Sequence, residues 1–285
     1  MTPRPVTQLV PALEVTEGAG VNVHRTIGTP ACRHLDPFLL LDHFSSDDPD
    51  DYSAGFPEHP HRGFNTFTYM LDGHMRHGDS MGNRGDLGPG GAQWMKAASG
   101  VIHSEMPQQI DGLMRGFQLW INLPASAKMS DPEYQEIQPE GIPEIQSTGS
   151  RIRLLAGRHG EQEGPVRDPH TEPRILDLSL DAGAHFTLDL PAGHTAFVHV
   201  FEGSGDIAGT QVPRQHLAVL GEGEGLEIQA ETQGLRALVV AGRPIGEPIV
   251  QHGPFVMNHR VEIEQALADY REGRLVRTRA GFHTL

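Results

Sequence analysis

Residues 56–73 read FPEHPHRGFNTFTYMLDG, in which two histidines, His59 and His61, stand two positions apart. On a β-strand this spacing turns both side chains toward the same face. A second pair with the same spacing, His103 and Glu105, begins 42 residues after His61. Two adjacent strands would bring three imidazoles and one carboxylate together at one point. This set suits a divalent transition metal, most naturally non-haem iron, with coordination positions left open.

The composition favours short strands joined by turns. Glycine (34) and proline (22) are frequent among the 285 residues, and only 6% are aromatic. Such interruptions between short apolar runs are typical of β-proteins. Residues 117–123, FQLWINL, alternate between apolar and polar as a half-buried strand does. Residues 262–271 lack Gly and Pro and space their apolar residues at helical intervals, which predicts a helix packed on the outside of a barrel.

The two halves of the chain show a similar pattern of strand-like segments separated by turns, which suggests a duplicated β-barrel unit. Within 131–150 the composition shifts to Pro, Glu, Gln and Gly, as expected of a connection between domains. We therefore predict a metal-binding barrel at 1–130, a linker at 131–150, and a barrel without metal at 151–285 that ends in the helix. In the second half, His194 and His199 are five residues apart and would face opposite sides of a strand, so no second metal site is expected.

Charge and cysteine content argue against several classes of protein. The net charge of -15 argues against direct nucleic-acid binding, which needs a basic surface. The single cysteine, Cys32, cannot form an intramolecular disulfide. The N-terminus has no signal-peptide pattern, and no segment approaches the roughly 20 apolar residues that span a bilayer. We expect a soluble, cytoplasmic monomer that contacts neither nucleic acid nor membrane directly.

Longer stretches of sequence surround the two ligand pairs. They read HPHRGF at 59–64, QWMKAASGVIHSEMP at 93–107, LDPFLLLDHF at 35–44, AVLGEGEG at 218–225 and VQHGPFVMN at 250–258. Together they resemble the pirin family of the cupin superfamily. The resemblance implies an all-β fold of two cupin-type β-barrels (a bicupin), with a metal in the N-terminal barrel and a vestigial C-terminal barrel.

The resemblance also implies a site and a function. Its metal ligands fall on His59, His61, His103 and Glu105, with Fe(II) as the expected ion and nickel, manganese, copper or zinc able to bind the same residues. The implied activity is a quercetin 2,3-dioxygenase-type oxygenation of a flavonol, with Glu105 accepting the proton of the 3-hydroxyl group. The alternative is a non-enzymatic, metal- or redox-responsive regulator that contacts a partner protein, as a transcriptional co-regulator or a modulator of a metabolic enzyme.

One position departs from the family pattern. Pirin-like sequences continue the first motif with Glu after the Gly-Phe pair, and here that residue is Asn65. Counting by twos from His61 places Asn65 on the same strand face, near the metal. Because an amide cannot take a proton at neutral pH, this substitution weakens the expectation of catalysis without affecting metal binding.

The other polar candidates are expected to be structural. By parity Arg62 points away from the site and should form a salt bridge on the barrel exterior. Trp94 should pack under the metal-binding strands. His43, His74 and His77 lie near turns and are expected at the surface, although His77 could reach the rim of a pocket.

Overall fold

The structure, a computed structural model, describes residues 1–277, and over these residues its regular secondary structure is mostly β-strand, as predicted. Two single-turn 3-10 helices, Pro49–Asp51 and Pro139–Gly141, interrupt them. In chain order the elements are β1 (Val6–Pro11), β2 (Leu13–Glu17), β3 (Val21–Ile27), β4 (Phe38–Ser46), β5 (Phe56–His61), β6 (Phe64–Asp72), β7 (Met75–Asp79), β8 (Arg84–Leu87), β9 (Ala92–Lys96), β10 (Val101–Pro107), β11 (Met114–Asn122), β12 (Glu133–Ile137), β13 (Glu144–Ser147), β14 (Ser150–Ala156), β15 (Arg158–His159), β16 (Gln162–Glu163), β17 (Arg174–Leu180), β18 (His185–Asp189), β19 (Thr195–Ile207), β20 (Thr210–Val212), β21 (His216–Leu220), β22 (Gly225–Gly242), β23 (Val250–His252), β24 (Phe255–Met257) and the helix α1 (Arg260–Arg271).

The chain divides into two compact units that are not contiguous in sequence. The histidine unit comprises Glu14–Ile27, Phe38–Pro139 and the described residues from Ile245 onward; the aliphatic unit comprises Met1–Leu13, Gly28–Pro37 and Glu140–Pro244. The division predicted from sequence stays a prediction. The contact grouping differs from it by placing β1 with the second half of the chain and α1 with the first half.

The aliphatic unit is built on one large antiparallel sheet. Its strand order is β1-β21-β19-β22-β17-β14-β13, with β18 also paired to β22 and β20 to β19. Strand β1 belongs here because it pairs along β21. Burial of aliphatic side chains stabilises the unit through the hydrophobic effect. The buried cluster includes Leu154, Leu176, Leu178, Val198, Val200, Leu226, Ile228 and Val239.

The histidine unit contains two larger β-sheets and the two-stranded pair β23-β24. A seven-stranded sheet has the order β12-β9-β6-β11-β4-β3-β2, and a four-stranded sheet has the order β5-β10-β7-β8. Strand β11 alternates between buried and half-buried residues, which confirms the half-buried strand predicted at 117–123. The four-stranded sheet carries both ligand pairs on neighbouring strands.

The C-terminal segment completes the histidine unit. The predicted helix is confirmed as α1, and its first turn is held by the Glu262 carboxylate, which accepts the His259 N–H at 2.8 Å. Ile263 and Ala266 of α1 pack against Phe255 and Met257 of β24. No helix within the described part of the chain has both the length and the apolar character needed to cross a membrane.

A buried ion pair joins α1 to Arg62, the residue that directly follows β5. Arg62, which is 1% exposed, donates from Nη1 to Oδ2 of Asp269 at 2.8 Å and from Nε to the Ser99 carbonyl at 2.6 Å. The predicted direction of Arg62, away from the histidine pair, fits this arrangement. The predicted salt bridge of Arg62 is present, and its partner on α1 buries it.

Candidate metal centre

The two ligand pairs lie on adjacent antiparallel strands. In the register of β5 and β10, His59 is opposite His103 and His61 is opposite Val101. One ring nitrogen from each of His59, His61 and His103 lies within 4.8 Å of the others. The spacing of two residues on each strand therefore brings the three imidazoles to one point, as the sequence predicted.

Two of the three imidazoles have one ring nitrogen engaged by the protein. His59 Nδ1 lies 2.8 Å from the Pro57 carbonyl oxygen, and His103 Nδ1 lies 3.4 Å from His77 Nδ1. By contrast, His61 Nδ1 and His103 Nε2 are buried without a hydrogen-bond partner. Since buried polar atoms nearly always have partners, these two lone pairs fit a metal ion.

The electrostatic environment keeps the buried imidazoles neutral. Burial lowers the pKa of His61 well below its ordinary value, and the neighbouring His59 ring lowers it further. Burial likewise lowers the pKa of His103, with the rings of His61, His59 and His77 adding to the effect. Neutral imidazole is the form that ligates metals, so the site is prepared for a cation before one binds.

Glu105 lies on β10 beside the histidines but outside the group of three, among the described residues, whose donor atoms lie within 4.8 Å. Its buried carboxylate accepts a hydrogen bond from Thr68 Oγ1 to Oε1 and another from Gln118 Nε2 to Oε2, both 3.1 Å. Each carboxylate oxygen keeps a further lone pair. Three of the four predicted ligands are thus together, and the role of Glu105 as the fourth stays a prediction.

A cavity of about 560 Å³ opens at the site. His59, His61 and Glu105 line it, and the Trp120 ring lies edge-on to His61 at 5.2 Å between centroids. This volume lies within the roughly 300–1,000 Å³ of small-molecule sites. Its other walls include the apolar Val23, Leu40, Phe44 and Met75, the polar Thr68 and Gln118, and Gln251, Gly253 and Pro254 from the C-terminal segment.

The expected position of Asn65 near the metal was wrong. On β6 the side chain of Thr68 lines the cavity, and alternation along the strand turns Asn65 to the opposite face. Counting by twos from His61 failed because the extended conformation is interrupted between β5 and β6. Gly63, in this interruption, has a φ of +93°. A Cβ at Gly63 would lie 1.9 Å from the Val256 carbonyl oxygen, so the close packing at this interruption requires glycine. The amide at 65 therefore has no bearing on the chemistry of the cavity.

Sequence reasoning missed several residues around the site. His43 and His77 were expected at the surface and are buried, whereas His74 is exposed as expected. The Gln118 and Trp120 side chains were not identified as cavity residues, although their spacing of two on a half-buried strand was a usable signal. Trp94 is buried and lies against Phe67, with ring centroids 6.3 Å apart, in agreement with its expected packing role.

Comparison with known proteins identifies the family. The Pirin family model matches residues 20–121, and the model of the Pirin C-terminal cupin domain matches residues 175–276. A Pseudomonas aeruginosa protein named as a candidate quercetin 2,3-dioxygenase is 51% identical over 280 residues, which cover 95% of this chain and 98% of the relative. A pirin-like protein from Caulobacter vibrioides is 45% identical over 276 residues, covering 96% and 100% of the two chains.

Solved structures agree with the sequence relatives. The crystal structure of a quercetin 2,3-dioxygenase from Acinetobacter baumannii aligns with a TM-score of 0.89 at 33% identity, covering 96% of this chain and 98% of that one. The predicted fold of two cupin domains with one short C-terminal helix is confirmed. With these relatives, the histidine triad implies a divalent metal. The chain belongs to the pirin family.

Proposed function

We propose that His59, His61, His103 and Glu105 hold one divalent transition metal, Fe(II) in the working protein, and that the protein is a quercetin 2,3-dioxygenase-type oxygenase of a flavonol. The observation that carries the proposal is the convergence of three imidazoles, with two unpartnered buried ring nitrogens, next to a largely apolar cavity. The names of the Pseudomonas and Acinetobacter proteins support the choice of substrate class.

When bound, the metal would supply positive charge beside the cavity and open positions for the flavonol oxygen and dioxygen. The protein residues perform the remaining tasks. The apolar walls formed by Leu40, Phe44 and Trp120 match a flat aromatic substrate and exclude water from it. The neutral rings of His61 and His103 add no positive charge of their own to repel the ion.

Glu105 is the proposed base. Its carboxylate lines the cavity, and the hydrogen bonds from Thr68 and Gln118 fix its orientation. In the proposed reaction it accepts the proton of the 3-hydroxyl group as the flavonol binds. Dioxygen then adds both of its atoms to the deprotonated flavonol; the two ring bonds to C3 break, C3 leaves as carbon monoxide, and the two aromatic parts remain joined as an ester that carries a carboxylate.

Quercetin turnover by the full-length protein tests this proposal. The protein is prepared metal-free, loaded under anaerobic conditions with iron, nickel, manganese or copper, and mixed with quercetin and oxygen. Loss of flavonol absorbance with release of carbon monoxide is the expected result. The matched variant E105Q keeps the size of the side chain but cannot accept a proton, and it should lose turnover.

The outcome separates the two functions that the sequence left open. Metal binding without quercetin turnover for any of the four ions would reject the oxygenase. It would favour the metal-responsive regulator instead. If the protein binds none of these ions, the metal site itself is rejected.

A further inference from the structure

His77 is a buried histidine that the proposed reaction does not use. It lies on β7, which pairs with β10, and it is only 2% exposed. Its Nδ1 is 3.4 Å from Nδ1 of His103, and its Nε2 is 3.3 Å from Oδ2 of Asp79. Asp79, His77 and His103 therefore form a continuous row of polar contacts that ends at one member of the triad.

The row permits only one arrangement of protons when both rings are neutral. An ionised carboxylate accepts hydrogen bonds and cannot donate them, so His77 carries its proton on Nε2 and donates it to Asp79. Nδ1 of His77 is then an acceptor, which requires the proton of His103 to be on Nδ1. Nε2 of His103 keeps a lone pair, and this is the nitrogen that is buried without a hydrogen-bond partner.

We propose that Asp79 and His77 are positioning residues that fix His103 in the tautomer whose Nε2 lone pair faces the metal. This rests on the metal site of the proposed function and adds to it the residues that prepare one ligand. A partner on the second nitrogen of a ligating histidine sets its tautomer and its ring orientation. Here the partner is a second histidine, itself oriented by a carboxylate.

The surroundings hold both positioning residues in place. Asp79 Oδ1 accepts the backbone N–H of Met81 at 2.9 Å and that of Asn83 at 3.0 Å, and Oδ2 accepts the Asn83 side-chain amide at 2.8 Å. Burial raises the pKa of this carboxyl, but the hydrogen bonds from His77, Asn83 and Met81 outweigh burial and hold the pKa below its ordinary value. The Tyr134 ring stacks on His77 with centroids 4.6 Å apart.

The variant D79N separates a tautomer effect from a packing effect. Asparagine has nearly the shape of aspartate, but its amide can donate to Nε2 of His77. That reversal would put the His77 proton on Nδ1 and move the His103 proton to Nε2, where it blocks the metal. The control is D86N, the same change at an exposed aspartate on neighbouring β8 that pairs with Arg76.

Nitrogen NMR of the metal-free, full-length protein reads the tautomer directly. The expected result is a His103 ring protonated on Nδ1 in the wild-type protein and in D86N, and on Nε2 in D79N. A His103 ring that keeps its Nδ1 proton in D79N would overturn the proposal, whatever the stability of the variant.

Metal affinity supplies the second measurement, with Co²⁺ as the probe. D79N and H77F should bind Co²⁺ about 10–100-fold more weakly than the wild-type protein, the usual effect of removing a residue that supports a ligand. H77F keeps an aromatic ring against Tyr134, whereas H77N restores an acceptor for His103 and should recover most of the loss. Equal affinity in the wild-type protein, D79N and H77F would overturn the proposal. A wild-type protein that binds no Co²⁺ would instead reject the metal site of the proposed function.

Discussion

Strand β19 of the aliphatic unit and strand β5 of the histidine unit use the same alternation for opposite purposes. β19 turns Ala196, Val198 and Val200 into an interior of Leu, Ile and Val side chains. β5 contributes His59 and His61, with ring centroids 4.7 Å apart, and both rings line a cavity. The backbone supplies equivalent positions in both cases. The side chains decide whether the interior is a packed core or a binding site.

The polar interior of the histidine unit needs hydrogen-bond partners that the aliphatic interior does not need. Aliphatic side chains need only close packing. Each nitrogen and oxygen in the histidine unit needs a partner, and most have one: a backbone carbonyl for His59, a second imidazole for His103, and two donors for Glu105. Within the triad, one ring nitrogen of His61 and one of His103 are buried without a hydrogen-bond partner, and these are the nitrogens that the proposed ion would engage.

The largest expected effect is loss of metal binding in H61A. Because His61 supplies one of three converging nitrogens, we expect the affinity for Co²⁺ to fall by more than about 100-fold, beyond the 10–100-fold typical of supporting residues. Titration of the metal-free protein measures it. H185A in the aliphatic unit, which removes an exposed histidine that contacts Glu227, should bind like the wild-type protein. If H61A binds Co²⁺ with the same affinity as H185A, the ion binds elsewhere.

The next effect concerns stability. In D269A the guanidinium of Arg62 is left buried without its carboxylate, which should cost about 3–5 kcal/mol. The counterpart in the aliphatic unit is D177A. Its partner Arg236 is 18% exposed and keeps Glu202 at 3.6 Å, so the loss should be about 1.5–3 kcal/mol. Urea unfolding of the metal-free variants measures both. A D177A loss equal to that of D269A would show that the burial of the arginine does not control the cost.

Local spacing was enough to predict the convergence of the three histidines, because residues two apart on one strand share a face in any fold. Local spacing failed for Asn65 because the strand is interrupted at Gly63, between His61 and Asn65. It also failed for His77, whose burial depends on the pairing of β7 with β10. Non-local contacts of this kind leave no periodic signal in the sequence.

Non-local contacts also decide which unit each end of the described chain belongs to. Asp269 joins the histidine unit through Arg62, 207 residues away in sequence, and β1 joins the aliphatic unit through β21. A boundary read from composition alone follows the order of the chain, so it assigns both termini to their sequence neighbours. The helix itself was predictable because its apolar spacing is local.

A smaller effect should follow from placing a hydroxyl in the aliphatic interior. V198T keeps the shape of the side chain but buries a polar group among aliphatic neighbours, at a cost of about 1–3 kcal/mol. Thermal or urea unfolding measures it, and metal affinity should not change. The reverse swap at an exposed site of the same unit, T187V, should alter stability by less than about 0.5 kcal/mol. An unchanged stability in V198T would mean that this interior tolerates polar groups as the other one does.

The smallest effect is expected from the opposite swap in the histidine unit. T68V removes the hydroxyl that donates to Glu105 Oε1 and keeps the volume, so the carboxylate loses one of its two donors while the packing persists. We expect stability to change by less than about 1 kcal/mol and Co²⁺ affinity to fall by about 10-fold, the lower limit for supporting residues. The control is T66V, on the same strand face and opposite Trp120 in the sheet. If T68V and T66V bind Co²⁺ equally well, the orientation of Glu105 does not contribute to the site. A loss confined to T68V would show that Glu105 acts with the three histidines.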